Sequence, residues 1–89
     1  MDDSWLKRKL TVGEAENLYM VKDDRLGPEP VPFGFLNESW KELLSWIKEG
    51  DELWEFSSPQ ETWECMAGRE GIVLIRKGKM IGSIITRMN

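Results

Sequence analysis

The C-terminal segment Gly71 to Arg87 constrains the fold more than any other part of the chain. Lys77-Gly78 divides it into two apolar runs, 71–76 and 79–87, and marks a tight hairpin. Ile72 and Leu74 point one way along the first run, Val73 and Ile75 the other. In the second run Met80, Ile84 and Met88 alternate against Ile81 and Ile85. A strand that is apolar on both faces is covered on both faces. The cover expected is one short helix per side, with the N-terminal arm or a second subunit as the other ways to close the remaining face.

Two helices are marked between residues 38 and 67. Trp40, Leu43, Leu44 and Ile47 follow the i, i+3, i+4, i+7 spacing of one buried stripe, predicting a helix over about 38–49 that stops at Gly50. Asn37 or Ser39 can cap it, with Glu42 completing a capping box on Ser39. Glu38, Lys41, Glu42, Ser45 and Glu49 fall on its solvent side. Trp46 lies about 120° from the stripe centre at roughly 100° per residue, so the pattern does not place it in the core. A strand over 51–57 follows, with Trp54 and Phe56 on one face and Leu53 and Glu55 on the other. Ser58 as N-cap, Pro59 at the first helical position and Glu61 predict a second helix over 59–67, ended by a left-handed Gly68. Trp54, Phe56 and Trp63 are read as core.

Ahead of these elements, the prolines of Gly27-Pro28-Glu29-Pro30-Val31-Pro32 fix φ and remove donors, giving an extended surface connection rather than strand or helix. It separates an N-terminal arm, about 1–32, from a compact unit, 33–89, within a single domain of 89 residues. In the arm, Trp5 to Val12 reads as a strand or as the lead-in to a turn capped by Thr11 with Glu14, and Leu18 to Lys22 as a short strand. Glu14 to Met20 as a third helix is the alternative. The fold expected is α+β, a mostly antiparallel sheet of three to five strands with two main helices and the C-terminal hairpin.

Composition narrows the chemistry. The chain has no histidine, which removes imidazole bases, Ser-His-Asp and Cys-His arrangements and imidazole metal ligands. Cys65 is the one cysteine, so neither an internal disulfide nor a cysteine zinc site is available. Its position late in a helix beside Glu64 disfavours a thiolate, and a small buried apolar residue is the reading preferred. No apolar run approaches the roughly 18 residues of a membrane span, and nothing after Met1 resembles a secretory leader, so a cytoplasmic location is expected. The net charge of −4 repels nucleic acid and anionic membrane. Residues 41–70 carry three basic and eight acidic side chains, whereas 71–89 carry Arg76, Lys77, Lys79 and Arg87 with no acid. Partial neutralisation across the sheet is expected, in preference to a dedicated basic face. The acidic pairs Asp2-Asp3, Asp23-Asp24 and Asp51-Glu52 lack the spacing of a calcium loop and read as solvated. Lys7-Arg8-Lys9 has no interleaved exposed aromatics of the kind that stack on single strands.

The run Gly50-Asp51-Glu52-Leu53-Trp54-Glu55-Phe56-Ser57-Ser58-Pro59, followed by Trp63, Gly68-Arg69-Glu70-Gly71 and the Ile72 to Arg76 strand, resembles a group of small uncharacterised bacterial proteins. The likeness extends from about Pro32-Phe33-Gly34 to the end of the chain and leaves out the arm. It implies a bacterial or phage origin and a single-domain protein, and it transfers no catalytic residue.

These observations favour a non-enzymatic protein-binding module without cofactor or metal, such as an immunity protein, antitoxin or inhibitor. Trp46 is the expected anchor and Glu38, Glu42 and Glu49 the expected acidic surround, extended by Glu52 and Glu55 and steering toward a basic protein partner. The other reading of Trp46 is a residue packed beneath the N-terminal arm. The alternative functions are a homo-oligomeric structural domain, such as a homodimer, pairing through its hairpin and, behind that, a small enzyme using carboxylates or Arg69.

Overall fold

The computed structural model describes residues Asp3–Met88, so Asp2 of the Asp2-Asp3 pair lies outside the described residues. The fold is α+β. Its elements are β1 (Leu6–Leu10), α1 (Val12–Leu18), β2 (Met20–Val21), β3 (Val31–Pro32), α2 (Asn37–Trp46), β4 (Glu52–Ser57), α3 (Gln60–Glu64), β5 (Arg69–Arg76) and β6 (Lys79–Met88). The main sheet has the order β1-β4-β5-β6 with every neighbouring pair antiparallel, and β2 and β3 pair separately. Lys77 and Gly78 both take positive φ, 50° and 78°, the two-residue turn whose twist matches the flanking strands.

The arm is part of the fold. Its start is the strand β1, paired with β4, and Thr11 then caps a helix rather than a turn: the third-helix alternative holds, over Val12–Leu18 instead of Glu14 to Met20. The Thr11 hydroxyl accepts from the Glu14 backbone N–H at 3.1 Å, and the Thr11 N–H donates to the Glu14 carboxylate at 2.9 Å. That second bond is the main reason the Glu14 carboxyl sits below its ordinary pKa. The proline-rich connection differs from the expectation: Val31–Pro32 forms a short strand against Met20–Val21. A two-stranded ribbon leaves each strand an outer side, where the missing proline N–H costs no ladder bond.

The two main helices expected from the sequence are both shorter than their patterns predict. The first ends at Trp46 instead of 49, because Ile47 is extended with ψ 131°, and Gly50 shapes the following turn at φ 90°. Its start needs no capping box on Ser39, because a 3₁₀ turn over Gly34–Leu36 feeds directly into it and the Asn37 N–H donates to the Gly34 carbonyl. The second spans only Gln60–Glu64 rather than 59–67. Ser58 is no N-cap. The Thr62 hydroxyl donates to the Pro59 carbonyl at 2.6 Å, so the Ser58 hydroxyl donates to Thr62, also at 2.6 Å, and accepts from the Arg69 N–H at 2.8 Å. The left-handed residue after α3 is Met66, at φ 59°, and not Gly68. Gly68 is small for a different reason: a Cβ there would stand 2.1 Å from the Trp63 ring.

The core lies on one side of the sheet. Leu10, Leu53, Ile72, Leu74 and Ile84 meet Ala15 of α1, Trp40 and Leu43 of α2, and Phe33. The Phe33 ring stacks between Tyr19, 4.9 Å away, and Trp40, 4.5 Å away. The Trp40 indole N–H donates to Glu16 at 2.8 Å, which satisfies the one polar atom of a residue that is 1% exposed. On the other side Phe56 and Val73 are fully buried outside that cluster, while Trp54 and Trp63 are only half-buried. The cover of the two sides is therefore unequal. Helices α1 and α2 share one face, α3 buries no residue, and the molecule is 17 Å thick, room for a sheet and a single helical layer.

Candidate functional site

Helix α2 carries a row of outward side chains at i, i+4 spacing, Glu38, Glu42 and Trp46, and all three are exposed. The row ends where the chain leaves the helix, and that end is fixed. Arg76 of β5 reaches back with one Nη to the Trp46 carbonyl at 2.8 Å. The same guanidinium holds Asp51 through Nε and Nη2, both at 2.8 Å, and Asp51 in turn accepts from the Lys48 N–H at 2.9 Å. A cation on the last carbonyls complements the negative end of the helix dipole. The Arg76 bonds dominate the pKa of the Asp51 carboxyl, lowered from 3.8 to about 2. Beneath the ring, Gly82 of β6 is the reason Trp46 lies down: a Cβ at Gly82 would come within 2.8 Å of the indole. Trp46 is thus held from below while 43% of it faces solvent. It packs against Gly82 of β6.

The acidic surround is less continuous than the sequence suggests. Glu38 and Glu42 stand in line with Trp46, and Glu49 is exposed in the turn beyond the helix. Glu52 and Glu55 belong elsewhere, on opposite faces of β4, each engaged by β1. Lys9 reaches Glu52 at 3.1 Å, with the Trp54 indole N–H also donating to it at 3.1 Å, and Arg8 reaches Glu55 at 3.0 Å. The Trp54 bond leads in lowering the Glu52 carboxyl, ahead of Lys9. Arg76 and Arg87 of the basic tail pair with Asp51 and Glu70 of the acidic middle, which leaves Lys77 and Lys79 exposed at the hairpin tip.

A second feature was missed by sequence reasoning. Leu18, Met20, Val21 and Leu36 are exposed and, with Tyr19, Phe33 and Thr86, line an apolar groove of about 270 Å³. Desolvation against this wall raises the Tyr19 phenol above its usual pKa, and Glu55 adds to the effect. The only sign in the sequence is the Leu18 to Val21 run, whose apolar side chains reach both faces of a two-residue strand.

The remaining candidates stay apart. Cys65 is exposed just past α3, contrary to the buried reading, because the short helix turns away before that position can pack. Asp23 is taken by Arg25 in a two-point contact, which lowers its carboxyl. Among the described residues no three metal-ligating side chains converge, and no helix is long and apolar enough to cross a membrane. Compared with known protein families, curated proteins and solved structures, the chain matches none.

Proposed function

We propose that the protein is a non-enzymatic protein-binding module whose contact centres on Trp46, in the manner of an immunity protein, antitoxin or phage-borne inhibitor of a bacterial cytoplasm. One observation carries the reading: the largest side chain type is 43% exposed while its backbone is pinned by Arg76 and its ring rests on Gly82. A surface tryptophan already ordered loses little side-chain entropy when a partner covers it, which is what makes an anchor efficient. Glu38 and Glu42 in the same row, with Glu49 beyond, favour a partner that is basic at the contact.

The test is affinity capture of tagged protein from host lysate, with Trp46→Ala and the charge reversal Glu42→Lys, Glu49→Lys beside it. Loss of the same partner in both variants is expected. A partner retained by both would move the site away from α2. A second reading, self-association through the hairpin, is favoured by the exposure of Met80 and Ile81. Sedimentation of the purified chain separates the two, since a tight dimer needs no outside protein.

A further inference from the structure

Trp46 lies over Gly82 of β6, the last strand of the sheet, whose outer side pairs with no strand among the described residues. We propose that this edge takes an extended segment of a partner protein as a further strand. On the face turned toward α2, that segment carries apolar side chains at i and i+4 and a cationic one at i+2. The inference rests on the binding-module reading and specifies the shape and chemistry of the partner.

The two edges of the sheet are unlike. Strand β1 carries Lys7-Arg8-Lys9, the kind of charge that keeps an edge from pairing. Strand β6 has no charged side chain and no proline from Met80 to Thr86, and between bulges at Ile81 and Thr86 its ladder is regular over Gly82, Ser83, Ile84 and Ile85. In an antiparallel ladder every second residue of the outer strand turns its N–H and C=O away from its neighbour, so β6 presents backbone groups that another strand satisfies. Flanking this edge, α2 runs alongside. Leu43 and Trp46 stand against Gly82, while Leu36, just ahead of the helix, lines the apolar groove with Thr86.

Gly82 and Ile84, opposite Leu74 and Ile72, turn to this face, and Thr86, the extra residue of a bulge, lines the groove on the same side, so an added strand sets its own alternate side chains beside these three positions. One falls against Trp46. Another, four residues along and about 13 Å away at ~3.3 Å per residue, falls at the groove beside Leu36. The side chain between them meets the α2 flank, where Glu42 stands one turn before Trp46. Backbone pairing supplies affinity in such additions and alternate side-chain pockets supply selectivity.

A second copy fits poorly. Two β6 strands paired antiparallel about Ser83 bring Lys79 opposite Arg87 at both ends and offer Glu42 no cation. Strand β1 has the spacing in Leu6, Arg8 and Leu10, but Leu10 is 6% exposed in its own core and Arg8 is held by Glu55.

The test uses the full chain, isotope-labelled, and a capped seven-residue peptide of valine and threonine with leucine at its second and sixth positions and arginine at its fourth. Amide shifts and slowed hydrogen exchange are expected along β6, with shifts at the Trp46 indole and Leu36. Replacing the peptide arginine by glutamate weakens binding about tenfold, and Glu42→Arg in the protein inverts that preference. Unshifted β6 amides with the arginine peptide, equal binding of the two peptides, shifts confined to the Trp54 face, or a chain that dimerises through β6 would each overturn the proposal. Failure of the peptides, with capture still lost in Trp46→Ala, removes the strand mode while the binding-module reading stands.

Discussion

The two faces of the main sheet bury apolar side chains by different means. On one, α1 and α2 lie across Leu53, Ile72, Leu74 and Ile84, and Trp40 fills the space between layers. On the other, Phe56 and Val73 are as completely buried although the short helix α3 buries no residue of its own, and Trp54, Ile75 and Ile85 around them remain partly open. A strand apolar on both faces therefore states a need for cover without stating its form. In a chain of 89 residues, half-exposed aromatic and branched side chains serve where a larger domain would place a helix.

Substitutions can break this comparison or refine it. The largest effect is expected at Trp40→Ala, which empties the helix-covered side and orphans Glu16; a loss of about 3–5 kcal/mol in urea unfolding is expected. Trp54→Ala on the open face removes a half-buried ring that water can replace, and about 1–2 kcal/mol is expected. Equal losses at the two positions would show that the open face is as closed as the other. Gly68→Ala drives a Cβ into the Trp63 ring and lowers the thermal midpoint by the equivalent of about 1–3 kcal/mol, with Trp63 fluorescence changed.

Acid gives a further test of the link between β5 and the end of α2. The Asp51 carboxyl is depressed in the fold, so its contribution is present above the unfolded value of 3.8 and is lost as pH falls toward about 2. The difference in urea midpoint between the native chain and Asp51→Asn is expected to be constant near neutrality and to close across that window. A difference that persists at the acid end would remove the Arg76 contact as its cause. The smallest effect on stability is expected at Trp46→Ala, below about 1 kcal/mol by the same unfolding measurement. That separation of stability from capture is what distinguishes a contact residue from a core residue.

Much of the framework was legible in the sequence because it depends on local chemistry. The hairpin turn at Lys77-Gly78 needs positive φ at two residues, and glycine beside a flexible lysine announces it. The Thr11–Glu14 box and the Trp40, Leu43 stripe are likewise properties of a few neighbouring residues. Helix ends were less legible. Ser58 has the residue type of an N-cap, yet its hydroxyl serves Thr62 and Arg69, a partner eleven positions away that no local pattern reveals. The row Glu38, Glu42, Trp46 could be read from helical spacing, whereas the groove beside Leu36 could not, since it joins β2, the start of α2 and Thr86 of β6.

The sequence by itself determined strands β4, β5 and β6, which stripe of α2 is buried, and that Trp46 lies off that stripe, because each follows from the period of side chains along one element. Only the tertiary structure decided that both longer helices share a face, that Glu52 and Glu55 are claimed by β1, and that β6 is left as an edge beside Trp46. Those outcomes depend on strand order and on contacts between residues far apart in the chain. A pattern of spacing states what each element has to bury, and the meeting of elements decides what buries it.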